Sequence, residues 1–284
     1  MCSLAEGGFI EEPSAVISLE GKLCQKCKAS PAVLTLRKKD VYCLDCFVVN
    51  CNHKFRSTLG KNKVMFKGDT VMLPFDGSAN ALALLDLIHS SLTKDTTQKR
   101  HFYTVTVFIA DLLTHDCERA IGVNQVIDLA MKYRKTFGIK VGHFESGLSA
   151  DNPVTVVDVP DEEEFHYVIP DDSNEFSTTL AGMTEASAKE ELLRTLKEKL
   201  VVKVAKQLGC NKVFDTDSAA DLAVTLMTGR TSSFLSLFLS FIFFWLRSAE
   251  NVYKITFRID QLCIIFESFS REKLLLDDKS QCHN

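Results

Sequence analysis

Four cysteines carry the clearest chemistry in this 284-residue sequence. Cys24-Gln25-Lys26-Cys27 and Cys43-Leu44-Asp45-Cys46 are separated by fifteen residues, giving C-x2-C-x15-C-x2-C. Two residues between thiolates let one tight turn present both sulfurs to a single ion. The loop between the pairs brings a second such turn opposite, which completes tetrahedral sulfur coordination. The apolar residues of this segment make too small a core to hold some forty residues, so metal binding is expected to supply folding energy. Structural zinc is the expected ion, although the spacing does not separate zinc from an iron–sulfur cluster. Four buried thiols without metal are an alternative reading. A redox-active pair is another, and such a pair normally opens a helix after a strand. Cys51 and His53 are spare potential ligands, expected to be bystanders. Lys22, Lys26, Lys28, Lys38 and Lys39 surround the cysteines and would partly offset the charge of four thiolates.

A second chemical signal is a strand-to-helix turn, Val71-Met72-Leu73-Pro74-Phe75-Asp76-Gly77-Ser78-Ala79-Asn80-Ala81. At such a turn an anion rests on backbone N–H groups at the helix N-terminus. Enzymes that adenylate a substrate and release pyrophosphate use Ser-Gly-Gly-x-Asp-Ser here. This chain keeps one glycine, Gly77, with Ser78 at the unspecified position, but Phe75 replaces the first serine and Asp76 the first glycine. Ala79 and Asn80 replace the acid and the last serine. A carboxylate at 76 repels pyrophosphate. The expectation is an ordinary strand–turn–helix corner in which Gly77 and Ser78 are the remnants of a phosphate loop.

Three single residues invite chemistry. Cys117 and Cys210 have the side chain a sulfur relay needs, yet neither has a legible His or helix N-terminus to lower its pKa, so each is expected to be structural. Asp111 ends a strand where ligand contacts are common, and a turn cap is the preferred reading.

The elements that must position these residues alternate. Strands are expected at Val71–Phe75, Tyr103–Ala110, Ile139–Phe144, Val154–Val159 and Lys212–Phe214. Helical spacing joins Ala81, Leu84, Leu85, Ile88 and Leu92. Further helices are expected at Glu118–Phe137, Glu185–Leu208 and Ser218–Met227. This alternation argues an open, largely parallel α/β sheet. The cysteine segment, with short apolar runs at Ala32–Leu36 and Val41–Tyr42, suits hairpins more than helices.

Apolar residues are 46% and charged residues 25%, which excludes a disordered or fibrous chain. The net charge of −4 hides local contrasts: ten Lys/Arg against two acids from Lys22 to Lys63, and twelve acids against one base from Asp151 to Glu191. The basic run suits nucleic-acid phosphates, and a merely solvated face is the equal alternative. Paired cysteines and the lack of a secretory leader point to a reducing, cytosolic compartment. Thr231–Leu246 is sixteen uncharged residues, just short of a membrane span.

Taken together, Cys24-x-x-Cys27, Cys43-Leu44-Asp45-Cys46-Phe47, Lys54-Phe55-Arg56-Ser57-Thr58-Leu59, the altered loop at 75–80 with Leu84-Leu85-Asp86-Leu87-Ile88, and Leu208-Gly209-Cys210-Asn211-Lys212-Val213 through Asp221-Leu222-Ala223 to Gly229-Arg230 resemble the cytoplasmic tRNA 2-thiolation protein 2 family over about residues 20–230. The resemblance implies a doubly wound, mostly parallel sheet of the adenine-nucleotide α-hydrolase-like kind, preceded by a small cysteine-rich, zinc-ribbon-like module. The chain is expected to divide into a flexible arm without periodicity at 1–20, a four-cysteine zinc-binding module at 21–62, the α/β domain with its degenerate phosphate loop at 63–230, and an atypical Phe-rich tail at 231–284 that departs from the family and is read as an alternative reading frame, with a membrane anchor as the other reading. The resemblance further implies a non-catalytic, tRNA-binding subunit that makes 5-methoxycarbonylmethyl-2-thiouridine at position 34 of the Lys, Glu and Gln tRNAs. Its partners would be the catalytic thiolation subunit 1, which supplies the ATP chemistry, and a thiocarboxylated ubiquitin-related modifier, with no membrane involved. The five lysines named above are the candidate tRNA contacts. Phe214-Asp215-Thr216-Asp217-Ser218 stands where related catalytic enzymes have a Gly-His-Asn nucleotide contact. The rival readings are a self-sufficient ATP-dependent tRNA sulfurtransferase and a zinc-dependent scaffold without an RNA role.

Overall fold

The computed structural model describes residues 19, 21–36, 40–61, 65–93, 103–110, 122–143, 153–160, 165–168, 182–217 and, for the backbone alone, 253–256. Two compact units divide the chain, Met1–His53 and Lys54–Asn284.

In the first unit, strands β1 (Leu34–Leu36) and β2 (Asp40–Tyr42) form an antiparallel hairpin with Leu34 opposite Tyr42. Its inner face buries Ala32 and Leu34. Helix α1 (Leu44–Lys61) follows at once. The expectation of hairpins over this segment is therefore corrected for residues 44–61. Phe47, Cys51, Phe55 and Leu59, four residues apart, make a buried helical stripe. The cysteine spacing drew attention away from that period.

The second unit is built on a six-stranded sheet: β3 (Thr70–Pro74), β4 (Thr104–Ala110), β5 (Gly138–Gly142), β6 (Val156–Asp158), β7 (Lys212–Asp215) and β8 (Tyr253–Thr256). Helices α2 (Ala79–Thr93), α3 (Val123–Met131) and α4 (Ala186–Gln207) connect them. The strand order is β6-β5-β4-β3-β7-β8, parallel throughout except that β6 runs against β5. The chain winds outward from β3 to β5 and then returns through α4 to β7, on the far side of β3. This places a topological switch point between the carboxyl ends of β3 and β7. Val71, Met72 and Leu73 are all buried, as a strand covered on both faces requires. On one face, Leu193, Leu200 and Val204 of α4 pack with Met72, Phe108 and Val213.

Helix α3 ends at Met131, short of the expected Phe137. Tyr133 and Thr136 turn instead towards α2, where the Tyr133 hydroxyl meets Asp86 at 3.3 Å and Thr136 Oγ1 meets His89 Nδ1 at 3.0 Å. The tail read as foreign contributes β8, paired in parallel with β7. The expected helix Ser218–Met227 and the run Thr231–Leu246 lie outside the described residues. Among the described residues, no helix is long and apolar enough to cross a membrane.

Candidate functional site

The first cysteine turn is tied down by its own backbone. Lys28 N–H donates to Cys24 O at 2.8 Å, Cys24 N–H to Ser30 O at 2.9 Å, and Gln25 N–H to Val41 O at 2.9 Å. Lys28 takes the left-handed conformation, φ +56°, which reverses the chain directly after Cys27. The second turn is the first turn of α1, where Phe47 N–H donates to Cys43 O. A Cys-x-x-Cys therefore does open a helix after a strand here, the placement associated with redox pairs. The positions of the four sulfurs distinguish the two readings, because all converge.

The Sγ atoms of Cys24, Cys27, Cys43 and Cys46 lie within 4.8 Å of one another, and Cys27 and Cys43 are 3.8 Å apart. Four thiolates bound tetrahedrally at about 2.3 Å from one zinc are spaced about 3.8 Å apart. In a [4Fe–4S] cluster the cysteines ligate separate irons around the outside of a larger body, which spreads their sulfurs. The donor set fits a single thiophilic ion, and these four residues would hold it. Burial pushes the Cys24 thiol up, but backbone N–H groups of Cys27, Cys43 and Lys26 outweigh it and bring the thiol down to about 6. The N–H groups of Ala29 and Ser30 lower Cys27. Cys46 is pushed up to about 12, first by its contact with the Cys43 sulfur and then by burial. A bound cation replaces the protons that otherwise keep these sulfurs from repelling one another.

Cys51 is buried in α1 and His53 is exposed, and neither joins the four-sulfur set. Lys22, Lys26 and Lys28 are exposed beside the first cysteine turn, while Lys38 and Lys39 lie outside the described residues.

The altered loop sits at the switch point and is filled from within. The Phe75 ring is completely buried, and its N–H donates to Phe108 O at 2.8 Å. Asp76 Oδ1 accepts the N–H of Ser78 at 2.9 Å, occupying a donor that faces phosphate in an open loop. Ser78 then caps α2, its Oγ accepting the Ala81 N–H at 3.2 Å. Gly77 has φ +77°. At the end of β7, beside β3, the buried Asp215 carboxylate turns back to the N–H of Asp217 at 3.5 Å. Two carboxylates thus flank the site where a polyphosphate binds in an active relative of this architecture.

Cys210 is buried against Met72 and Val213, and burial pushes its thiol up, as expected for a structural cysteine. Cys117, Asp111 and Ser218 lie outside the described residues.

Sequence reading missed the group that joins the amino ends of β3 and β7. The Asp69 carboxylate accepts from the Lys212 ammonium, from Asn211 Nδ2 at 2.9 Å and from Phe66 N–H at 2.6 Å. Asn211 Oδ1 in turn accepts the Thr70 N–H at 3.1 Å. A lysine opening an apolar strand was the available signal, since a buried ammonium needs a counterion.

No family model matches the chain. Cytoplasmic tRNA 2-thiolation protein 2 of Aedes aegypti is 26% identical over 241 residues, covering 80% of this chain and 52% of its own length. The protein of the same name from Drosophila ananassae is 28% identical over 245 residues, covering 80% and 57%. Cytoplasmic tRNA 2-thiolation protein 2-A of Xenopus laevis is 27% identical over 255 residues, covering 73% and 50%. The chain spans about half the length of the curated relatives it matches. Among solved structures, the U34-tRNA thiolase NcsA from Methanococcus maripaludis with its [4Fe-4S] cluster matches with a TM-score of 0.57. That match has 17% sequence identity and covers 84% of this chain and 67% of that one, so it speaks for a shared fold.

Proposed function

We propose, for a chain homologous to the cytoplasmic tRNA 2-thiolation protein 2 proteins, that it serves tRNA wobble-uridine 2-thiolation in the cytoplasm as a non-catalytic, tRNA-binding subunit. The observation that carries the non-catalytic reading is the closed loop, where Asp76 takes the Ser78 N–H and Phe75 is buried. ATP chemistry is then left to a catalytic thiolation subunit 1, with which this chain pairs as a heterodimer. Sulfur arrives from the thiocarboxylate of a ubiquitin-related modifier. The product is 5-methoxycarbonylmethyl-2-thiouridine at position 34 of the Lys, Glu and Gln tRNAs. Structural zinc holds Cys24, Cys27, Cys43 and Cys46, the reading favoured by sulfurs spaced for one ion. Lys22, Lys26, Lys28, Lys38 and Lys39 contact tRNA phosphates from the four-cysteine module.

The test is to purify the chain with and without the catalytic subunit and to measure metal content, wobble-uridine thiolation and pyrophosphate release. The expected result is one zinc per chain, thiolation by the pair, and no pyrophosphate from this chain alone. Uridine-dependent release of AMP and pyrophosphate by the isolated chain would instead make it a self-sufficient sulfurtransferase. Undiminished thiolation and tRNA binding after charge reversal of the five lysines, with zinc retained, would remove their role in tRNA contact.

A further inference from the structure

The turn Phe66–Asp69 lies at the amino ends of β3, β4 and β7, about 17 Å along β3 from the closed loop. It is rigid for reasons that can be named. Phe66 N–H donates to the Asp69 carboxylate, Asp69 N–H returns to Phe66 O at 3.3 Å, and Gly68 with φ +92° permits the reversal. Asp69 O then accepts the Thr104 N–H at 2.9 Å, which joins the turn to β4. The Lys212 ammonium, itself buried and paired with Asp69, lies 4.9 Å from the centroid of the Phe66 ring. Despite this anchoring, Phe66 is 61% exposed.

An aromatic ring held in place, with a cation against it and much of its surface in water, is an unusual use of a large apolar side chain. The cation draws on the ring's electron density, and the ring's exposed surface then favours an electron-rich π-surface. The described neighbours of Phe66 along this turn are the half-buried Met65 and then Lys67, Gly68, Asp69 and Thr70, with Asn211 alongside, so among the described residues the exposed ring is bordered mainly by polar and charged groups and not by the broad apolar patch a protein partner would cover. Nucleobases have the flat apolar face that such a ring stacks on, bordered by polar sugar and phosphate.

We propose that Phe66 is a stacking platform for an unpaired RNA base, a binding residue distinct from both the four-cysteine module and the altered loop. This rests on the reading of the chain as tRNA-binding and adds to it a contact that recognises single-stranded rather than duplex RNA.

The experiment uses the full chain, the catalytic thiolation subunit as a competing partner, an unmodified tRNA transcript, a short single-stranded RNA and a fully paired RNA duplex. Phe66→Ala is expected to weaken tRNA binding about tenfold or more, with the salt dependence unchanged because no phosphate contact is lost. Phe66→Leu, which keeps apolar bulk but not the π-face, is expected to bind as weakly as the alanine variant. Phe66→Trp is expected to keep affinity, and its fluorescence, taken as the difference from the wild type with its single tryptophan, to be quenched by single-stranded RNA and not by duplex. Wild-type affinity in the alanine or leucine variant, or quenching by the catalytic subunit instead of RNA, would overturn the platform while leaving tRNA binding in place. A wild-type chain that binds no tRNA would end both readings. Thermal unfolding of each variant separates loss of the contact from loss of the fold.

Discussion

Gly77 and Val126 are packed so closely that a Cβ built on the glycine would meet Val126 Cγ2 at 3.0 Å. The one glycine retained from the phosphate-loop pattern is thus held by packing of α3 onto the loop and by its φ of +77°. Neither reason involves a phosphate. Gly77→Ala is expected to destabilise the chain by about 2–3 kcal/mol, combining left-handed strain with overpacking. In a Val126→Ala background the same change should cost only about 1 kcal/mol, the part due to φ. Urea denaturation of the four chains measures the coupling, and equal costs in both backgrounds would refute the packing argument.

Nucleotide affinity is a separate matter from loop stability. Asp76→Gly frees the Ser78 N–H and removes a charge, yet Phe75 stays buried in the core and Asp215 remains beside the site. Equilibrium binding of labelled ATP is therefore expected to be undetectable in both the wild type and this variant. Saturable binding by the wild type would show that the loop is not closed.

The cysteine site carries its own pH dependence. With no ion bound, Cys46 sits at about 12 and Cys24 at about 6, so at pH 7 Cys24 is mostly thiolate and Cys46 is a thiol. An ion taken by all four sulfurs must displace the Cys46 proton, so zinc binding releases protons and its affinity rises with pH. Calorimetry in buffers of different ionisation enthalpy should show at least one proton released at pH 7. Affinity should fall more steeply below about pH 6, where Cys24 also has to be deprotonated. Cys43→Ala removes a buried ligand and is expected to abolish stoichiometric binding. An iron–sulfur absorption spectrum from anaerobically purified chain would contradict the single-ion geometry.

What could be read from the residues depended on how local the cause was. The convergence of the four cysteines follows from spacing alone, since two residues between thiols fix a turn. The buried stripes of α2 and α4 follow from helical periodicity, and Ala81, Leu84, Leu85, Leu193, Leu200 and Val204 all point inward. Helix α1 was missed because its four-residue stripe overlaps the metal motif, and two patterns on the same residues hide one another. The end of α3 depends on Tyr133 and Thr136 finding Asp86 and His89, 47 residues away in sequence. The closure of the phosphate loop was legible as a charge at position 76 but not as a hydrogen bond, because the carboxylate's direction is set by the loop's backbone.

The amino-terminal junction of the sheet shows the same dependence on distant partners and has a testable energy. Asp69 and Lys212 are both buried and paired, and Asn211 completes the shell of the carboxylate. Burial pushes the Asp69 carboxyl up, but hydrogen bonds from Lys212, Phe66 N–H and Asn211 outweigh it and hold it below the ordinary carboxylate value. A carboxyl lowered on folding stabilises the fold above its unfolded pKa, near 3.9, and that contribution is lost as pH falls through the folded value. Asp69→Asn is expected to cost about 3–5 kcal/mol at pH 7 by leaving the Lys212 charge buried without a counterion. Asp69→Asn with Lys212→Met should recover much of that loss, because no desolvated charge is then left without a counterion. Urea denaturation from pH 7 to pH 3 is the measurement. The gap between wild type and Asp69→Asn should stay constant down to about pH 4 and narrow below it, whereas a gap independent of pH would show that the carboxylate's charge is not what holds β3 to β7.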